Sequence, residues 1–276
     1  MFRLLLHTAI IFYTLSIGVY LADYVFKKPS LLKIQIALTL MGFVFETAYI
    51  VWRWFLTEHP PVFGSFENSL AASWVLILLC LLLARSQRFD FIYLLAPVGA
   101  LALLAYGSTF SHRLFPLTLS EDSLWIDFHV TFAWLAFTSL AIAAFIGLLL
   151  LKPSWSRFSP AELPPPAILD DLLVKYTAYA FIAFTLTLAS GSYYSSIVFG
   201  RWWRWDPIES LSLIVWLLLS LIIHLRRSFG WRGAQLSWLA VAGLAMAIGA
   251  YWLMVYFPPG TTYHVFDIRE RRHSLL

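Results

Sequence analysis

Long apolar runs broken by short polar or proline-bearing segments dominate the chain. Eight such runs fall at about 4–25, 31–54, 69–86, 89–108, 128–151, 173–197, 208–226 and 235–257. Each is close to the roughly 18–25 residues a helix needs to cross a bilayer. They do not alternate apolar with polar positions, so they read as helices and not as strands of an outer-membrane barrel. The first run is a full span, with no small-residue cleavage site after it, and so is not a signal peptide. The pattern predicts an all-α integral membrane protein: a polytopic bundle of eight transmembrane helices, one transmembrane domain over residues 1–276.

Composition agrees. Hydrophobic residues make up 61% of the chain and charged residues 12%, about half the charged share of a soluble domain. The net charge of +4 implies no nucleic-acid partner, because the Lys and Arg residues collect in the short loops 26–33, 85–88, 152–175 and 226–232. A basic excess in short loops marks the cytoplasmic side. Fewer lie opposite (Arg3, Arg53, Arg113, Arg201 and Arg204), and the three in the C-terminal tail, Arg269, Arg271 and Arg272, are a weak topogenic signal. Both termini are therefore expected on the extracytoplasmic side, with segments 55–68, 109–127 and 195–209. The loop 152–172, with five prolines, reads as irregular. Cys80 is the single cysteine. Thiol redox chemistry then belongs to another protein.

The loop 195–209 holds the densest chemistry. It contains Phe199-Gly200-Arg201-Trp202-Trp203-Arg204-Trp205-Asp206-Pro207-Ile208-Glu209. Single tryptophans anchor spans at a membrane interface, but three together exceed that need. They offer flat apolar faces for a large planar ligand, with Arg201 and Arg204 beside them for carboxylates. A flat apolar body with two carboxylates is haem. Asp206 and Glu209 have a second reading, as N-cap and first turn of the seventh span with Pro207 between them.

Ionisable residues in or beside spans are functional candidates. His129 opens the fifth span and His264 follows the eighth, both at the level of the tryptophan loop. Two neutral imidazoles can ligate haem iron axially; interface histidines bonded to water or backbone are the plainer alternative. His224 lies about 22 Å along the seventh span from Glu209 by helical rise, so it marks either a second, inner site or a helix-capping histidine. Glu46 sits roughly 12 Å inside the second span and reads as a hydrogen-bonded carboxyl without an assigned role. His59 is either a site residue or a loop contact.

These residues resemble the CcsA (ResC) proteins of cytochrome c biogenesis, in the haem-handling superfamily with a tryptophan-rich WWD motif. Gly200, Trp203, Trp205, Asp206, Pro207 and Glu209 match the family's Trp-Gly-x-x-Trp-x-Trp-Asp-Pro-x-Glu; Phe199 and Ile208 depart from it. Arg53-Trp54 with His59, Pro61 and Phe66-Glu67 is similar to a second motif, Trp125 to Val130 to a third, and Trp216 to His224 and Trp231-Arg232-Gly233 to two more. At the end only His264 and an aromatic two residues later are kept.

The resemblance implies transport of haem across the membrane and its covalent attachment to apocytochrome c, as a System II synthase subunit. Haem b is then the transported substrate, bis-histidine ligated. His129 and His264 hold the outer iron against Trp202, Trp203 and Trp205, with Gly200, Arg201, Arg204 and Asp206 in the loop and Glu67 orienting the site. His224 supplies one ligand to an inner iron, and a CcsB (ResB)-type membrane partner supplies the other. Lyase activity is expected only in that complex. The further partners implied are an apocytochrome c with a Cys-x-x-Cys-His motif, an extracytoplasmic thiol reductant and the lipid bilayer. The membrane is the bacterial inner membrane or the plastid thylakoid. The alternative is a CcmC-like exporter that hands haem to a chaperone without attachment.

The topology is testable with reporters. Alkaline phosphatase fused after Leu276 is expected to be active, and fused within 226–232 to be inactive; the reverse pattern overturns the orientation.

Overall fold

The computed structural model describes residues 3–27, 30–86, 92–110, 112, 123–151 and 164–256. They form α1 (Arg3–Phe26), α2 (Ser30–Thr57), α3 (Ser65–Ser86), α4 (Ile92–Gly107), α5 (Leu124–Leu151), α6 (Pro166–Phe199), α7 (Pro207–Phe229) and α8 (Ala234–Tyr256). There is no strand among the described residues. Seven of these helices are long and apolar enough to cross a membrane; α4 is apolar with 16 residues, and residues 87–91 before it lie outside the described set. The chain is thus a polytopic membrane bundle of helices.

Several helices outrun their apolar stretches. α2, α5 and α6 have 28, 28 and 34 residues, because hydropathy marks only the lipid-immersed part while a helix continues through the wetter interface. α6 starts at Pro166, so the expected irregular loop 152–172 is helical from that point. A proline run is a breaker inside a helix, but at the first helical position the missing N–H costs nothing and the fixed φ is already helical. α6 also runs on to Phe199, so the tryptophan connection is 200–206 and not 195–209.

The chain divides into two compact units, one built on α1–α4 and the other on α5–α8. In the first, α1 packs on α2 and α4, and α3 on α4. Polar side chains knit this unit. Glu46 on α2 is fully buried (0% exposed) and accepts from Tyr13 Oη on α1 and Ser73 Oγ on α3, each at 2.6 Å. One carboxyl therefore joins three helices. Gly42, one turn earlier, makes room: a Cβ there would sit 2.4 Å from the Tyr13 ring. Further along, Ser16 and Thr39 share a 2.8 Å bond, and Gln35 reaches the Tyr93 carbonyl at 3.0 Å. In a medium without water each of these groups needs an internal partner.

In the second unit α5 packs on α6 and α8, and α7 on α6 and α8. Its core is Ala136, Leu140, Ala180, Ala183, Phe184, Val215, Leu219 and Ala247. Half of these are alanines, which let helix backbones approach where lipid offers no hydrophobic drive. The clearest close approach is Gly147 on α5, where a Cβ would lie 3.2 Å from Ser237 Cα and 3.3 Å from its carbonyl oxygen. At the end of this unit where α6 begins, Arg226 donates to Asp170 at 2.5 Å and to Asp171 at 2.7 Å, and Asp170 accepts the Gly233 amide at 2.7 Å. These bonds clamp the start of α6 to the end of α7 and the start of α8.

Gly147→Val is expected to lower the stability of the detergent-solubilised protein by about 1–3 kcal/mol, since the opposing group is backbone and cannot swing away. Gly249→Ala, where nothing lies within 4 Å, is expected to be neutral or stabilising by up to about 1 kcal/mol. Thermal unfolding of both variants checks this; equal shifts contradict the packing.

Candidate functional site

The site is built where α5 begins, α6 ends and the 200–206 connection turns into α7. His129 lies in the second turn of α5. Its Nδ1 sits 2.9 Å from the carbonyl oxygen of Thr187 on α6. A carbonyl only accepts, so Nδ1 is the donor there, and a neutral imidazole protonated at Nδ1 has its lone pair on Nε2, the form that ligates a metal. The ring reaches this carbonyl because the next residue up that face is Gly191, where a Cβ would stand 2.5 Å from Nδ1. Bulk at 191 would push the imidazole off.

Aromatic rings extend from there. Trp125, one turn before His129, lies 4.4 Å from the Tyr193 ring, and Tyr193 lies 5.7 Å from Trp202. Trp202 and Trp205 are 61% and 73% exposed. Rings this open at the tip of a bundle are free to meet a flat ligand. Trp203 is half-buried, edge-on to Trp205 at 6.1 Å.

The loop's backbone is held by carboxylates. Asp206 Oδ1 accepts the Ile208 amide at 2.8 Å, and Glu209 Oε2 accepts the amides of Arg204 at 2.8 Å and Asp206 at 3.3 Å. With Pro207 at the first position this is a complete capping box. Asp206 and Glu209 thus hold the capping roles read from sequence. Gly200 ends α6 in the left-handed region (φ +70), where its amide reaches back to Ser196. Trp205 also has positive φ (+58), which a residue with a Cβ adopts only at a cost. The surrounding loop bonds hold it there.

The two arginines separate. Arg201 is exposed. Arg204 lies over the Phe199 ring at 3.9 Å, with its Nε 3.8 Å from Glu209, so it braces the loop as well as charging it. Two buried donors, Ser195 Oγ and Trp203 Nε1, have no hydrogen-bond partner among the described residues.

Other candidates fall elsewhere. His224 is exposed on α7, toward the Asp170–Arg226 end, with Nδ1 3.4 Å from Ser228 Oγ. His264 lies outside the described residues. Glu67 belongs to the first unit, buried in the first turn of α3, where it pairs with Arg53 and accepts the Phe63 amide at 3.1 Å. Arg53 also lies over Phe66 at 5.2 Å and donates to the His112 carbonyl at 3.3 Å. His59 places Nδ1 2.8 Å from the Pro60 carbonyl, and its Nε2 is buried without a partner among the described residues. Sequence reasoning passed over Thr187, Gly191, Tyr193 and Ser195. The segment Ala-Ser-Gly-Ser-Tyr-Tyr-Ser-Ser at 189–196, a small-polar and tyrosine patch closing an otherwise apolar span, marks the region but neither Thr187 nor the contact at Gly191.

Tautomer-fixed histidine, open tryptophans and unpaired buried donors suit a large planar ligand with polar rim groups. The comparisons agree in kind. The family model for cytochrome C assembly protein matches residues 62–258. The cytochrome c biogenesis protein CcsA of Prochlorococcus marinus (strain MIT 9303) is 26% identical over 240 residues, covering 74% of this chain and 76% of that protein. CcsA of Prochlorococcus marinus (strain AS9601) is 26% identical over 275 residues, covering 88% of each chain. Among solved structures, the cytochrome c heme lyase CcmF matches with a TM-score of 0.65 at 18% identity over 92% of this chain, a likeness of fold. This chain spans 46% of that protein's length. With a family match over most of its length and CcsA proteins as relatives, the chain belongs to the cytochrome c assembly protein family, as a polytopic membrane protein with a role in cytochrome c maturation.

Proposed function

We propose that the protein carries haem across the membrane and presents it for covalent attachment to apocytochrome c, together with a CcsB-type membrane partner. The observation that supports this most is the His129 Nδ1 bond to the Thr187 carbonyl, because a ring that donates through Nδ1 has Nε2 as its ligating nitrogen. His264 is the second axial ligand in this reading. Trp202 and Trp205 offer the ring faces, Trp203 lies beneath them, and Gly200 and Asp206 set the loop that presents them. Arg201 and Arg204 supply positive charge for carboxylates. In this reading Glu67 acts by fixing Arg53 at the end of α2.

His224 is the ligand of an inner haem. Its exposure on α7 supports this role, since a ligand supplied by a second chain can approach it there. Haem moves from that site to the His129 site. Haem brings two vinyl groups, and each thiol of a Cys-x-x-Cys-His motif adds across one of them: an S–C bond forms and the thiol hydrogen passes to the neighbouring carbon, with no oxidant needed. The thiols must arrive reduced, and this chain's only cysteine, Cys80, is buried, so an extracytoplasmic reductant supplies them. The protein's own contribution is position and the exclusion of wrong orientations. The bacterial inner membrane or a thylakoid membrane is the site of action.

His129→Ala is expected to deplete bound haem and abolish cytochrome c maturation, with partial rescue by added imidazole. Gly191→Ala, which removes no proposed ligand residue, is expected to weaken haem retention by about 10–100-fold through displacement of the His129 ring. Soret absorbance of protein purified with its partner reads both; full retention in either contradicts the assignment. Retained haem with no attachment in the wild-type complex would favour export alone. Asp206→Ala is expected to cost about 0.5–2 kcal/mol in stability, and Asp206→Asn close to nothing. If Asp206→Asn abolishes maturation while keeping stability, the carboxylate has a role beyond the cap.

A further inference from the structure

Thr187, Gly191, Ser195 and Phe199 are spaced four apart on α6 and form one stripe along it. Each holds or underlies something. The Thr187 carbonyl takes His129 Nδ1, Gly191 lies under the His129 ring, and Phe199 lies under the Arg204 guanidinium. Along the stripe Ser195 falls between Gly191, under the histidine, and Phe199, under the arginine. It is 5% exposed, and its hydroxyl has no hydrogen-bond partner among the described residues. Other serines in these helices donate to a carbonyl three or four residues back, as Ser69, Ser190, Ser196 and Ser237 do. A second donor is stranded nearby in sequence: Trp203 Nε1, next to Arg204, is likewise buried without a partner among the described residues. Burying a donor unpaired costs about 1–3 kcal/mol, so two at one end of the bundle mark a place where an acceptor is brought by a ligand.

We propose that Ser195 Oγ and Trp203 Nε1 are the hydrogen-bond donors for a carboxylate at the rim of the porphyrin whose iron His129 holds. The inference rests on the proposed haem site and deepens it. The stripe supplies the spacing: Ser195 is about 6 Å along α6 from Gly191 by helical rise, a step from the iron ligand toward the rim of the ring. An indole N–H only donates and a hydroxyl can donate, and Arg204, next to Trp203 in sequence, is cationic, so an anion with several acceptor lone pairs fits them. Anchoring one rim carboxylate sets the rotation of the macrocycle about its iron–histidine axis. That rotation decides which edge faces the incoming thiols, so these donors are orienting residues and not participants in bond making.

The test uses the full-length apo-protein in detergent, titrated with ferric haem and with its dimethyl ester, which keeps iron and ring but lacks the anionic carboxylates. Ser195→Ala and Trp203→Phe each remove a donor and keep the bulk. Wild type is expected to bind the free acid more tightly than the diester. Each variant is expected to lose about tenfold of that preference, the scale of one charge-assisted hydrogen bond, and Ser195→Ala is expected to leave affinity for the diester unchanged. Apo-protein thermal unfolding should stay the same or rise, because an unsatisfied buried donor has been deleted. An unchanged preference overturns the proposal, as does an equal loss for both porphyrins or a fall in apo-protein stability, which would mark a structural role. His129→Ala separates the two readings: it should weaken both porphyrins alike, and if it weakens neither, the iron site fails whatever Ser195 does.

Discussion

A single backbone carbonyl decides the state of the key imidazole. Thr187 lies inside α6, where its oxygen already serves the helix, and the Ser190 hydroxyl also reaches it at 3.2 Å. A carbonyl has two lone pairs, and His129 takes a share of them. The arrangement depends on the missing side chain at Gly191. The contact with Thr187 makes Nδ1 the donor of the ring. The rings of Trp125, Tyr193 and Trp202 carry the same surface onward to the α6–α7 connection.

The same rule governs the rest of the bundle. With few charges, the protein sets several buried carboxylates against partners on other segments: Glu46 between Tyr13 and Ser73, Asp170 between Arg226 and the Gly233 amide, Glu67 against Arg53. Each pairing links different helices or a helix to a loop. Without water as a competing partner, such bonds specify which helix sits next to which, a task the uniform apolar surfaces cannot perform. Small residues supply the complementary device, opening room for Tyr13 at Gly42 and for Ser237 at Gly147.

The spans were legible because lipid imposes a length and a composition that hydropathy reads directly. Their ends were less so. Pro166 looked like part of a loop and is a helix start, and Phe199 looked like loop and is the last turn of α6. The capping box at Asp206 and Glu209 was readable because Asp-Pro-x-Glu states its local geometry. His129 was legible as a candidate from its position, but Thr187 and Gly191 were not. Their roles come from a neighbouring helix whose register no local pattern reports. Arg204 was assigned to a ligand by its charge alone; its stacking on Phe199 depends on the left-handed turn at Gly200, which folds the loop back over the helix end.

Trp205 occupies a backbone position at φ +58 where glycine would sit at ease, and it exposes most of its ring. The loop therefore keeps its bulkiest residue type in a conformation that penalises any side chain. Directed evolution for thermal robustness alone should drift toward glycine or asparagine at this point, trading the indole for a relaxed turn. A hardened variant obtained in that way would be a sound scaffold without its exposed indole.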